Sequence, residues 1–183
     1  MPYIKQEDRP QFDKILNQIT RINTKSELGY CIFTVMSEYM NGMIIEPSSI
    51  YANNTSNIIL CEDMPGCYFV DTENKKQFDK LLYQLPGISS KGQLEYCIYK
   101  LLLIYMKDKE VRYSNLHDTV YVTIDCGNEF RKFFVKFETH INLTIIEKFK
   151  ETIYACIHAG HEFQRMHLDK REDVAIQENG DVV

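Results

Sequence analysis

The sequence predicts an all-α fold: two related three-helix units nested in one chain, with a short β-hairpin inserted between them. Three observations predict it. First, QFDKILNQITRINTKSELGYCIFTVMSEYM, from Gln11 to Met40, returns 66 residues later as QFDKLLYQLPGISSKGQLEYCIYKLLLIYM, Gln77 to Met106, with 14 of 30 positions identical and no gap. Second, LHDTVYVTIDCGNEFRK (Leu116–Lys132) returns as FKETIYACIHAGHEFQR (Phe149–Arg165) with 6 of 17 identical. Third, apolar residues in both repeats recur at helical spacing.

Each copy of the longer repeat reads as two helices. In the first helix Phe12, Ile15, Leu16 and Ile19 are answered by Phe78, Leu81, Leu82 and Leu85. Asp8 and Asn74 stand at matching places as N-caps, and Pro86-Gly87 is expected to stop the second copy. The second helix carries one apolar stripe, Leu28, Cys31, Ile32, Val35, Met36 and Tyr39, repeated as Leu94, Cys97, Ile98, Leu101, Leu102 and Tyr105. A capping box opens each, Thr24 to Glu27 and Ser90 to Gln93, in which hydroxyl and carboxamide or carboxylate satisfy backbone N–H groups reciprocally. Between the copies, EPSSIYANNTS reads as loop. NIILCEDMPGCYFVD (Asn57–Asp71) reads as two short strands around a Pro-Gly turn.

The shorter repeat reads as one helix per copy. Leu116, Val120, Thr123, Ile124 and Gly127 share a face, and the glycine permits close helix approach. The later copy follows a third capping box, Thr144 to Glu147. The copies run long, long, short, short, and nesting is the simplest pairing. Residues 72–138 then form an inserted helical unit, 1–40 with 141–183 form a discontinuous parent unit, and 41–71 form the loop and hairpin linker. The competing topology exchanges partners, with the first long copy packing on the first short one.

Composition narrows the function. With 183 residues the chain can bury a core without metal or disulfide support. The formal charge of −5, with Lys and Arg scattered, argues against nucleic acid as a partner. The richest basic stretch, KDKEVR (Lys107–Arg112), is interrupted by acids and reads as a solvated face. No apolar run approaches the ~20 residues of a membrane span, and the N-terminus lacks a signal core. Cys31, Cys97, Cys126 and Cys156 fall in apolar helical patterns, and Cys61 and Cys67 lack a second metal-binding pair, so a reduced, cytoplasmic protein is expected.

The opening MPYIKQEDR, the ELGY and QLEY motifs at Glu27–Tyr30 and Gln93–Tyr96, the Glu162-Phe163 pair and the ending ENGDV (Glu178–Val182) carry a resemblance. On these motifs the chain resembles a family of small all-helical proteins found mainly in bacteriophages, whose short members look like a single copy of each repeat. The resemblance implies a helical fold and a viral setting in a host cytoplasm. The family is one of unknown function, so it assigns no catalytic residue and no cofactor.

Two polar groups are candidate sites. Asp13, Lys14, Tyr30 and their copies Asp79, Lys80 and Tyr96 either make equivalent helix contacts or line a groove across a pseudo-twofold, where a small nucleotide-like ligand or a host protein could sit. Asp118, Asp125 and Glu129 occupy one side of a helix, with Glu151, His158 and Glu162 as counterparts. Such carboxylates can hold Mg²⁺ or Mn²⁺ in a metal-dependent nucleotide pyrophosphohydrolase, but a single stripe per unit fits a solvated face with Glu129 and Glu162 paired to Arg or Lys better. HAGHEFQRMH (His158–His167) lacks the spacing of a zinc protease helix. The sequence therefore predicts a non-enzymatic binding protein without a cofactor, with homo-oligomers possible. Sequestering a nucleotide-type host signal is its most concrete role; a metal-dependent hydrolase and a protein-binding adaptor using the hairpin are the alternatives.

Overall fold

The computed structural model describes residues 4–41, 70–135 and 143–168. These form a 3-10 turn, Gln6–Asp8, and six α-helices: α1 Arg9–Leu16, α2 Lys25–Asn41, α3 Thr72–Leu82, α4 Lys91–Met106, α5 Tyr113–Val135 and α6 Leu143–His167. Among the described residues there is no strand. The expected hairpin lies outside the described residues except for Val70 and Asp71, which are not in a strand. Cys61, Cys67 and both terminal motifs also lie outside them, apart from Ile4 to Arg9.

Helix boundaries follow local chemistry repeated in both copies. The two capping boxes form: Thr24 Oγ1 accepts from Glu27 N (3.1 Å) and Glu27 Oε2 from Thr24 N (3.2 Å), while Ser90 Oγ accepts from Gln93 N (3.3 Å) and Gln93 Oε1 from Ser90 N (3.2 Å). α1 and α3 end at the matching residues Leu16 and Leu82. Proline does not end α3, because α1 stops at the same place without one. In both copies a glutamine amide caps the end instead, Gln18 Nε2 to the Lys14 carbonyl (2.7 Å) and Gln84 Nε2 to the Lys80 carbonyl (2.6 Å).

Three expected caps are corrected. Asp71, not Asn74, caps α3, accepting from Glu73 N and Asn74 N at 3.1 Å. Asn74 already lies inside the helix and donates across to Glu27 Oε1 (2.8 Å). Asp8 stands before α1 in a helical conformation and makes no capping bond, because the 3-10 turn leads straight into the helix. Thr144 sits in the first turn of α6, which already runs from Leu143.

The apolar stripes meet in one core. Phe12, Leu16, Leu28, Ile32, Leu82, Leu94, Ile98, Leu116, Phe130 and Phe163 are all fully buried in it. Cys31, Cys97, Cys126 and Cys156 are buried free thiols, and burial pushes Cys31, Cys97 and Cys156 well above their ordinary acidity range. They serve as small core hydrophobes.

The nested pairing is corrected by the contacts. α4 packs along α6, α2 packs on α5, and α5 and α6 form the most extensive contact among the described helices. α1 lies on α4 and α3 lies on α2, so the first helix of each long copy sits on the second helix of the other. Matched contacts make the exchange explicit. Phe33 of α2 meets Phe130 of α5 at 5.2 Å between ring centroids, and its copy Tyr99 of α4 meets Phe163 of α6 at 5.2 Å. Among the described residues, α3 and α4 therefore take their partners outside 72–135, which leaves the nested pairing unsupported and groups the helices as α2–α3–α5 and α1–α4–α6.

Charge favours the observed topology, although Glu95 also has Lys91 of its own helix 3.6 Å away in either pairing. Glu95 of α4 is 5% exposed and faces His158 of α6, with Nδ1 3.2 Å from Oε1. In the nested pairing the matching residue of α5 is Asp125, which would set a second carboxylate against a buried one. On the other side the residue matching Glu95 is Gly29, which asks for no counter-charge. Its carbonyl accepts from the Cys126 thiol (3.6 Å).

Candidate functional site

The strongest polar constellation lies where α1 and α3 cross onto the opposite copy. Tyr30 of α2 donates its hydroxyl proton to Asp79 Oδ1 of α3 (2.5 Å), and Tyr96 of α4 donates to Asp13 Oδ1 of α1 (2.8 Å). These four candidates thus form two reciprocal pairs, the isologous pattern of a twofold interface written into one chain. Both tyrosines are buried and both aspartates half-buried. A charge-assisted bond at such a place is worth about 1.5–3 kcal/mol.

Cations complete each pair. The Arg9 guanidinium lies 5.7 Å from the centre of the Tyr96 ring, and the Lys75 ammonium lies 5.8 Å from that of Tyr30. Arg9 and Lys75 are themselves 66 residues apart, so the long repeat extends upstream of Gln11 as a charge. That offset is the signal by which sequence alone could have found them. Lys100 adds an ion pair to Asp13 at 3.0 Å, while the matching position on the other side is Thr34, whose hydroxyl donates to the Tyr30 carbonyl. Burial first, then the hydrogen bond to Asp13, pushes the Tyr96 phenol far above its ordinary range and keeps it a neutral donor. Lys14 and Lys80 are exposed and join no ion pair among the described residues.

A second reciprocal set sits beside α5 and α6. Tyr39 of α2 donates to Glu151 of α6 (3.0 Å), with the Lys148 ammonium 3.4 Å from its ring centre. Its copy Tyr105 lies under Lys109, 3.7 Å from the ring centre, and the charge of Asp118, the counterpart of Glu151, contributes after burial to raising its phenol. Burial lowers both lysines below their ordinary range.

The carboxylates considered as metal ligands are occupied elsewhere. Asp118 pairs with Lys25 (3.2 Å), Glu129 with Lys132, and Glu162 with both Nε (3.1 Å) and Nη2 (2.8 Å) of Arg165. The Arg165 hydrogen bonds hold the Glu162 carboxyl below its usual range. Asp125 is half-buried one turn before Glu129. Among the described residues no three His, Cys, Asp or Glu side chains gather as a metal-ligand group. No helix among them is long and apolar enough to cross a membrane.

The chain belongs to the family described as Domain of unknown function (DUF6899), whose model matches residues 1–59 and 64–182. No curated protein and no solved structure matches it.

Proposed function

Starting from a family that brings no activity with it, we propose that the protein is a non-enzymatic binder of a small, anionic, nucleotide-type ligand at the α1–α3 seam. One observation carries the reading. Two cation-on-tyrosine pairs, Arg9 with Tyr96 and Lys75 with Tyr30, are placed equivalently on either side of the seam. The two cations supply charge for phosphate oxygens, and the buried tyrosine rings hold them in place on either side of the seam. The phage resemblance suggests the setting: a viral accessory protein that sequesters a host nucleotide signal in the cytoplasm of the infected cell.

The hydrolase reading has less to stand on, since Asp118, Glu129 and Glu162 are each already held by a cation. The segment that would serve an adaptor, the expected hairpin, falls on residues outside the described ones.

The test is a thermal-shift panel of mononucleotides, cyclic dinucleotides and ADP-ribose-type compounds, with and without Mg²⁺ or Mn²⁺, followed by calorimetry on any hit. A ligand at a hundred times its Kd should stabilise the fold by about 2.7 kcal/mol without metal. Arg9→Gln and Lys75→Gln should each weaken binding. Silence across the panel would reject the proposal. Metal-dependent turnover lost in both Asp125→Ala and Glu129→Ala would replace it with the hydrolase.

A further inference from the structure

The first helices α1 and α3 make their own choice of partner, and one hydrogen bond marks it. Asn74 of α3 donates from Nδ2 to Oε1 of Glu27 on α2 at 2.8 Å. Glu27 is only 5% exposed and makes no ion pair among the described residues. Its other oxygen, Oε2, serves the capping turn of α2 itself, accepting from Asn23 N (2.6 Å) and Thr24 N (3.2 Å). Those two bonds are local, so they form whichever first helix lies on α2. The Glu27 charge also reaches Lys109, but that ammonium is held by the Tyr105 and Asn23 carbonyls (2.8 and 3.5 Å), which belong to neither first helix. Oε1 is therefore the atom that meets the incoming helix.

The two copies differ at both ends of this contact, and in a matched way. At the offset of the long repeat, Asn74 corresponds to Asp8 and Glu27 to Gln93. Gln6–Asp8 leads into α1 as residues 72–74 open α3, so Asp8 and Asn74 hold the same place on the two first helices. With the helices exchanged, a carboxamide faces the carboxylate on α2, and the helix that carries the carboxylate goes to α4, where the matching residue is a carboxamide. Returning each first helix to its own copy would set Asp8 against the buried Glu27, and Asn74 against Gln93. Two carboxylates at one buried place repel and lose hydration, and a pair of amides does not repay that cost.

We infer that residues 8, 27, 74 and 93 form a recognition code that sends each first helix to the opposite copy. Glu27 accepts the helix carrying Asn74 and rejects the one carrying Asp8, whereas the neutral Gln93 tolerates either. Selectivity comes from the rejected pairing. The same bond fixes where α3 lies, with Lys75 next to Asn74 and Asp79 further along at the Tyr30 hydroxyl. This recognition needs no ligand at the seam.

Asn74→Asp in the full chain is the test, because its local and tertiary effects have opposite signs. A carboxylate in the first turn of α3 favours the helix by itself. Set against Glu27, it should instead lower the melting temperature, followed by far-UV circular dichroism, by about 5 °C or more. Glu27→Gln keeps an oxygen for the capping turn, and the double variant reproduces the Asp8 and Gln93 combination. In that background Asn74→Asp should lower the melting temperature by less than about 1 °C, or raise it. If Asn74→Asp alone fails to fold, the double variant should fold. An unchanged or raised melting temperature in Asn74→Asp alone, or an equal loss in both backgrounds, would overturn the code.

Discussion

The α4–α6 contact and the α2–α5 contact are built from copies of the same two helices, yet they differ in what they bury. Both place an aromatic pair at 5.2 Å and a lysine over an exposed tyrosine. Between those shared features, α4–α6 buries a carboxylate against an imidazole, where α2–α5 has a glycine carbonyl accepting from a thiol. The α4–α6 contact is the more extensive of the two. A duplicated surface can pair in two ways at nearly equal apolar gain, so a single charged substitution decides the register. Glu95, which meets His158 across the contact and Lys91 on its own helix, is the residue to test for that role.

The largest expected effect comes from cutting the molecule by sequence rather than by contact. Residues 72–138 contain α3, α4 and α5, but α4 has its partner in α6 and α3 has its partner in α2. An isolated fragment of those residues should show little helix by far-UV circular dichroism. It should gain helix when mixed with a fragment carrying α6. A fragment that folds cooperatively alone would break the comparison at its root.

Next in size is the register-setting pair. His158→Asp would put two carboxylates together at a place where Glu95 is 5% exposed. The expected cost is about 2–4 kcal/mol, below the full penalty of a buried unpaired charge because the His158 side is part-exposed. The matching change, Asp125→His at a half-buried position where the residue matching Glu95 is the uncharged Gly29, should cost clearly less. Urea denaturation of both variants measures the contrast. Equal costs would show that Glu95 does not set the pairing.

Much of this was legible before any coordinates. Helix identity, the stripe residues and two of three capping boxes follow from spacing, because those depend on neighbours three or four residues away. Tyr30, Tyr96, Asp13 and Asp79 were legible as a set because the 66-residue offset preserves them together. Their cross-pairing was not. Each apolar stripe fits either copy of its partner equally well, so periodicity cannot say which copy it meets. The tie-breaker, Glu95 against Asp125 or His158, was in the sequence but is decisive only once residue 95 is known to point inward. Asn74 went astray for a related reason: its partner Glu27 is distant in sequence, and local capping logic claimed it first.

A third contrast lies along α5 and α6. A methyl group on Gly160 would sit 2.0 Å from Thr123 Oγ1 and 3.0 Å from its Cβ, whereas one on Gly127 would meet only Ile157 and Ile153 side-chain atoms at 3.2–3.3 Å. Thr123 is fully buried and its hydroxyl donates to the Val120 carbonyl, so it cannot swing aside without losing that bond. Gly160→Ala should therefore cost about 1–3 kcal/mol, the usual range for overpacking, and Gly127→Ala clearly less. Thermal unfolding of the two variants would show the order, and a reversed order would mean that α5 and α6 cross elsewhere.

The smallest contrast concerns the two tyrosine–aspartate pairs. Asp13 accepts from Tyr96 and also pairs with Lys100, whereas Asp79 has no ion pair among the described residues besides its bond from Tyr30. Removing a phenol therefore leaves Asp13 with a partner and Asp79 with water alone. Tyr96→Phe should cost about 1 kcal/mol and Tyr30→Phe about 2 kcal/mol. Tyr96 also carries a pH signature. Its folded phenol titrates above the ordinary value of about 10, through burial and the Asp13 bond, so the unfolded chain gives up that proton first as pH rises. The stabilisation is complete below pH about 10 and declines as pH climbs from there toward the raised folded value. Tyr39, Tyr99 and Tyr105 are shifted in the same direction and add to the decline. Urea midpoints taken between neutral pH and pH about 11 should fall steeply in the wild type and less steeply in Tyr96→Phe. Parallel curves would mean that the Tyr96–Asp13 bond does not persist in solution, and the reciprocal seam would lose one of its two ties.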